Sequence, residues 1–376
     1  MKFKALLAGL ICLSIFTQAQ EKPWRKGIIT DEFIYEKANF PSVHSATIAE
    51  TPTGLVSAFF GGTRERNPDV EIYVSRLVNG KWTAPVSVAD GVQSATERLP
   101  TWNPVLYQIP GGDLMLFYKI GPKPSEWWGM LKTSKDGGKT WSKAEKLPNN
   151  QIGPVKNKPV LLSNGNLIAS SSTEGDGWRV HFEVTPDFGK TWKTIGPLDR
   201  GKDTINAIQP SILFHGDGKL QILARTRNRA LATAWSYDNG ATWTALEKTC
   251  LPNNNSGTDA VTMKNGKHVL VYNHVLPPGD LAKGPRTPLN VSISKDGIHW
   301  KAALILEDSP ISQYSYPAVI QTKDGMLHFI YTWRREKIKH VVVDPSKLKL
   351  KKIKNGEWPK LKGYEAPKPQ EGKAEE

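Results

Sequence analysis

A histidine, two tyrosines and a few arginines, out of the many such residues in this 376-residue chain, form the candidate reactive set: His44, Tyr314 and Tyr316, Arg225, and the adjacent pair Arg334 and Arg335. Together they suit elimination beside a carboxylate. Taking the C5 proton of a uronic acid builds enolate-like charge on its carboxylate, and arginines hold such charge with paired, planar hydrogen bonds. A neutral His or a Tyr phenolate can act as base, and a Tyr or His can protonate the leaving oxygen. Adjacent strand residues point to opposite faces, so only one of Arg334 and Arg335 is expected to reach such a site. These residues span almost three hundred positions, so a regular scaffold must bring them together.

That scaffold is legible as a recurring phrase. Its clearest copy is Ser134 to Trp141, S-K-D-G-G-K-T-W. It returns at Thr185 to Trp192, Ser236 to Trp243 and Ser294 to Trp300, with a worn copy at Ser75 to Trp82. Trp141, Trp192 and Trp243 are 51 residues apart each time, a period that marks a repeat architecture. In each copy the Asp is expected to accept turn amides, the Gly to supply positive φ and the Trp to pack between units, a structural role.

A second periodic signal runs beside it. Six times a β-type run meets a glycine turn and resumes, with Gly54, Gly112, Gly165, Gly218, Gly266 and Gly325 at the turns. Five of these hairpins precede a copy of the phrase. Each repeat therefore carries four strands, which predicts an all-β, six-bladed β-propeller with Asp-box turns and four-stranded blades. The sixth unit lacks a strand, and the segment from about Ile28 to Tyr35 is expected to supply it and close the ring. The predicted organisation is a signal peptide over 1–19, the propeller over 20–345 and a basic, partly disordered tail over 346–376.

Composition agrees with many tight turns: 32 glycines, 27 prolines and 13 tryptophans. Lys2 and Lys4, the apolar run from Ala5 to Phe16 and the small-residue site Thr17-Gln18-Ala19 read as an export signal too short to span a bilayer. A periplasmic or secreted protein follows. Cys250 alone then remains, so stability must come from a core. The net charge of +14 favours acidic partners, although Lys347, Lys349, Lys351, Lys352 and Lys354 read as a solvated tail run. No nucleic-acid motif and no metal-ligand spacing occur, and no cofactor is implied. A monomer is expected.

The repeated S-x-D-x-G-x-T-W on six hairpins resembles the sialidase (BNR, Asp-box) superfamily, over nearly the whole mature chain. The stretches Gly153 to Pro159, Leu251 to Gly257, Ser315 to Gln321 and Tyr331 to Arg335 resemble sialidase-like proteins of polysaccharide-degrading bacteria. The resemblance implies a ligand site at one mouth of the channel, where each innermost strand begins and the next ends. Those positions hold His44-Ser45, Trp102-Asn103, Asn157-Lys158, Gln209, Asp259 and Tyr314 to Tyr316, then Arg64 to Arg66, Lys119, Glu174, Arg225, Arg227, Asn273-His274 and Arg334-Arg335.

By the same resemblance Arg225 matches the second of three carboxylate-binding arginines, Tyr314 or Tyr316 the nucleophile, and Asp69 the acid. Two positions depart from that pattern. His44 stands about where the first arginine belongs, and Gln209 stands where a glutamate should activate the tyrosine, which a glutamine cannot do. The expected function is therefore elimination on the uronate end of an acidic oligosaccharide, as a dehydratase or lyase. His44 and Tyr314 or Tyr316 would serve as acid and base. Arg225 with Arg334 or Arg335 would clamp the carboxylate. His274 and Arg286 are secondary candidates, and Trp102, Trp127 and Trp128 could stack on sugars. Two alternatives stand beside it: an exo-glycoside hydrolase using Asp69 with Glu174 or Asp259, and a carbohydrate-binding propeller without turnover.

Overall fold

The protein is described here from a computed structural model covering residues 22–368. The expected signal peptide lies outside the described residues. Six antiparallel sheets form the body. Their innermost strands are Ser42–Thr51, Thr101–Gln108, Val160–Leu161, Ala207–Phe214, Asp259–Thr262 and Tyr314–Gln321, in blades 1 to 6. Each is followed by an antiparallel neighbour, beginning at Gly54, Leu114, Leu167, Leu220, His268 and Leu327. The inner strand of blade 6 packs against that of blade 1, which closes the ring. Blade 6 takes its outermost strand, Ile28–Phe33, from the N-terminus, paired to Lys337–Val343. That is the closure expected from the missing strand.

A blade with both faces buried needs apolar residues on both, which is why its strands read as near-continuous hydrophobic runs. Six buried clusters result, one in each seam between neighbouring blades. The phrase tryptophans sit in those seams: Trp243 of blade 4 stacks on Phe182 of blade 3 with ring centroids 4.3 Å apart. The Asp of each good copy accepts its own turn amides. Asp136 takes the Lys139 and Thr140 N–H groups at 3.0 and 2.8 Å, and Gly137 and Gly138 both have positive φ. Hydrogen bonds from Thr191 hold the Asp187 carboxyl down at about 2. The phrase is thus spent on turn geometry.

The tail adds something the repeat count does not contain. Lys351–Lys352 pair with blade 5 as a fifth strand, and Ile353 and Trp358 pack on the blade 4–5 cluster.

Candidate functional site

One distortion recurs where the inner strands begin. In blades 1, 2, 4 and 6 the register slips between His44 and Thr47, Trp102 and Val105, Ile208 and Ser211, and Ser315 and Ala318. Two residues then oppose one, a β-bulge, which bends the strand and re-aims a side chain. The first bulged residues are Ser45, Asn103, Gln209 and Tyr316, with φ of 58°, 36°, 55° and 50°. A non-glycine residue held there costs on the order of 1 kcal/mol, and such strain gathers at functional sites. In three of the four, proline follows (Pro104, Pro210, Pro317), and it has no N–H for the broken ladder to strand.

The bulges of blades 4 and 6 bring Gln209 and Tyr316 together. The Tyr316 hydroxyl accepts hydrogen bonds from Arg225 Nη1 at 2.7 Å and Gln209 Nε2 at 3.4 Å. Arg225 also donates to Gln209 Oε1 and Asn255 Oδ1. From the adjoining inner strand of blade 1, the His44 ring lies 4.1 Å from the Tyr316 ring, centroid to centroid, tilted by 47°. His44 Nδ1 shares a 2.9 Å hydrogen bond with Thr332 Oγ1. The Arg286 guanidinium stands 5.8 Å from the Tyr316 ring. Arg286 and Arg335 both donate to the Gln313 Oε1 carbonyl oxygen, each at 3.1 Å. Arg335 also pairs with Glu65.

The electrostatics follow from burial and crowding. His44 is buried among cations, and its pKa lies well below 6.5. Desolvation is the largest cause, followed by Arg335, Arg286, Arg225 and Lys156. The imidazole is therefore neutral. Lys156 is buried behind Tyr316, 5.7 Å from its ring, and donates to Asn157 Oδ1, Thr258 O and Pro317 O at 2.7–2.9 Å. Burial pulls it down to about 7. Lys119, buried and donating to Pro154 O, is likewise lowered to about 7.

The remaining expected site residues divide by position. Tyr314 is buried in the blade 5–6 core, and its hydroxyl accepts from Arg334. Arg334 and Arg335 follow the strand ending at Trp333, and both have positive φ. Arg335 turns to Gln313, whereas Arg334 covers the Trp333 ring at 4.3 Å. Arg227 lies over Trp178, which it shares with Arg225. Asn103 is buried at its own bulge. Trp102 is buried and donates to Gly121 O. Glu174 is half-buried in the loop before Trp178.

Three further candidates are held by structural partners. Asp259 is buried and ties four blades together, accepting from Lys158, Ser211, Ala260 and Val319. Asp69 is exposed and accepts from the Thr63 N–H and hydroxyl. These positions separate Asp69 from Asp259, and neither bonds Tyr316 or His44. His274 sits between Tyr272 and Gly356 O and anchors the tail.

Sequence reasoning did not single out Lys156, Gln313 or Trp178. Lys156 lies inside the quoted stretch Gly153 to Pro159 and Gln313 just before the Tyr314 to Tyr316 run, so proximity to those motifs was the available signal. Among the described residues no three His, Cys, Asp or Glu side chains gather as a metal site requires, and no helix is long and apolar enough to cross a membrane.

The chain matches the BNR repeat-like domain family over residues 53–329. Solved structures of the same fold include a protein of unknown function from Dyadobacter fermentans (17% identity, 85% of this chain and 99% of that one, TM-score 0.67). Another is the intramolecular trans-sialidase from Ruminococcus gnavus in complex with oseltamivir carboxylate (13%, 86% and 99%, TM-score 0.65). A third is an α-L-arabinanase from Penicillium chrysogenum complexed with arabinobiose (18%, 85% and 99%, TM-score 0.62). A 75-residue stretch is 29% identical to a Clostridium perfringens sialidase, covering 20% of this chain and 19% of that protein's length.

Proposed function

Because this chain belongs to the BNR repeat-like domain family, we propose that it is an exported carbohydrate-active enzyme whose substrate carries a carboxylate on the sugar entering the mouth. Arg225, Arg286 and Arg335 would receive that carboxylate through paired, planar guanidinium hydrogen bonds. The reaction we assign is elimination at the uronate end of an acidic oligosaccharide.

One observation carries this reading: the Tyr316 hydroxyl is held by Arg225 and Gln209, with neutral His44 beside it and, among the described residues, no carboxylate hydrogen-bonded to it. If His44 Nδ1–H donates to Thr332, the Nε2 lone pair is free to take the C5 proton. The C5–H electron pair becomes the C4=C5 double bond, the C4–O bond breaks, and Tyr316 gives its proton to the departing oxygen. Arg225 stabilises the phenolate left behind. A bound carboxylate would offset the four cations that disfavour imidazolium, so His44 gains basicity when substrate arrives. Return of the proton from His44 to Tyr316 resets both groups. A leaving sugar makes the enzyme a lyase, and a leaving hydroxyl makes it a dehydratase.

Hydrolysis is the second reading, favoured by the position of Tyr316 between cations at the mouth and by the sialidases among the similar proteins. Its weakness is Gln209, which cannot draw the proton from Tyr316. A panel of acidic oligosaccharides tests both. An ultraviolet-absorbing unsaturated end supports elimination, and sugar released without that absorbance refutes it.

A further inference from the structure

Outside the mouth, the chain holds a groove of about 490 Å³ in the seam between blades 1 and 2, a size typical of small-ligand sites. The half-buried face of Trp128 lines one wall, with Lys146 Nζ 5.0 Å from its ring centroid. Lys132 lines the floor and donates to Val88 O, which leaves two of its three ammonium donors. Asp90 and Gln93 form the other rim.

Strand register sets the groove's height. Ala89 pairs with Ile72, Ile72 with Phe60, and Phe60 with His44. Trp128 pairs with Ile120, which pairs with Thr101 beside Trp102. The groove's upper end is therefore level with His44 and three strand spacings, roughly 14 Å, farther from the axis. Trp127, beside Trp128 in sequence, is half-buried and its ring lies 5.9 Å from that of Trp102.

We propose that this groove is a second carbohydrate subsite, which binds the distal part of the same acidic oligosaccharide whose end sugar occupies the mouth. An aromatic face stacks on a sugar ring, two lysines meet its carboxylates, and Asp90 and Gln93 reach its hydroxyls. Two cations against one acid select an anionic chain over a neutral one. This inference rests on the acidic-sugar reading of the mouth.

The test is calorimetric binding of short and long galacturonate oligomers, and of their methyl esters, to the full chain carrying Tyr316→Phe so that turnover is slowed. Long acidic oligomers should bind about ten-fold more tightly than the monomer, the size expected from one charge-assisted hydrogen bond between a lysine and a sugar carboxylate. The paired substitution Lys132→Met and Lys146→Met should abolish that gain and leave monomer affinity unchanged. Trp128→Ala should do the same if it folds, and the lysine pair decides the matter if it does not. Equal affinity for long and short oligomers, or a gain that survives both variants, overturns the subsite. A gain lost in the lysine variant but indifferent to Arg225→Ala keeps the groove and sinks the mouth reading. No binding by any oligomer sinks both.

Discussion

Arg225 Nη1 donates a 2.7 Å hydrogen bond to the hydroxyl of Tyr316, across 91 residues of sequence and two blades of the ring. The bond fixes the phenol and places a permanent positive charge where a phenolate would form. Tyr316→Phe removes only the oxygen and should lower turnover by about 10² to 10⁴ with an unchanged melting temperature. Tyr314→Phe, two residues away in the core, should leave turnover within a few-fold. Steady-state rates on the acidic panel check both, and equal losses in the two variants would reject the assignment.

His44 should show itself in the pH profile. Its folded pKa is depressed by burial and by the surrounding cations, so the neutral base persists below the ordinary value of 6.5. The acid limb of kcat/KM should therefore fall below pH 6.5, and His44→Ala should abolish turnover. A limb at or above 6.5, or an active alanine variant, would remove His44 from the base role.

Gln209→Glu separates the two reaction classes. A carboxylate there would pair with Arg225 and compete with the substrate's own carboxylate. Elimination should fall at least about ten-fold, mostly through KM. A rise in sugar release from sialyl substrates would instead favour hydrolysis.

Acid should destabilise the fold through buried histidines. His274 and His328 have folded pKa values of about 4, caused first by burial. Below 6.5 the unfolded chain takes up protons that the folded chain refuses until about 4. Stability present above pH 6.5 is then lost as pH falls toward 4, at up to roughly 1.4 kcal/mol per pH unit for each histidine. Denaturant melts at several pH values would reveal this, and a flat stability over that window would contradict it.

The closing strand gives a structural prediction. Removing residues up to Phe33 strips blade 6 of its outermost strand and exposes the edge of Lys337–Val343. It also deletes Glu32, which accepts from Trp82 of blade 1 at 3.1 Å and bonds His340 at 2.9 Å. The truncated chain should melt well below the full chain and aggregate. Unchanged melting would show that the ring does not depend on this closure.

The blade architecture was readable from residue order because its determinants are local. Asp136 reaches amides three and four residues ahead, and each glycine turn joins strands beside it in sequence, so spacing alone counts the blades and locates the missing strand. The site was readable only as a crowd of candidates at the strand ends. What separates Tyr316 from Tyr314, and Arg335 from Arg334, is side-chain direction. Direction here is set by bulges and positive-φ residues that break the simple alternation of a strand. The roles of Lys156 and Gln313 depend on partners from other blades. Those contacts exist only once the ring has closed, and for that reason they belong to the tertiary structure alone.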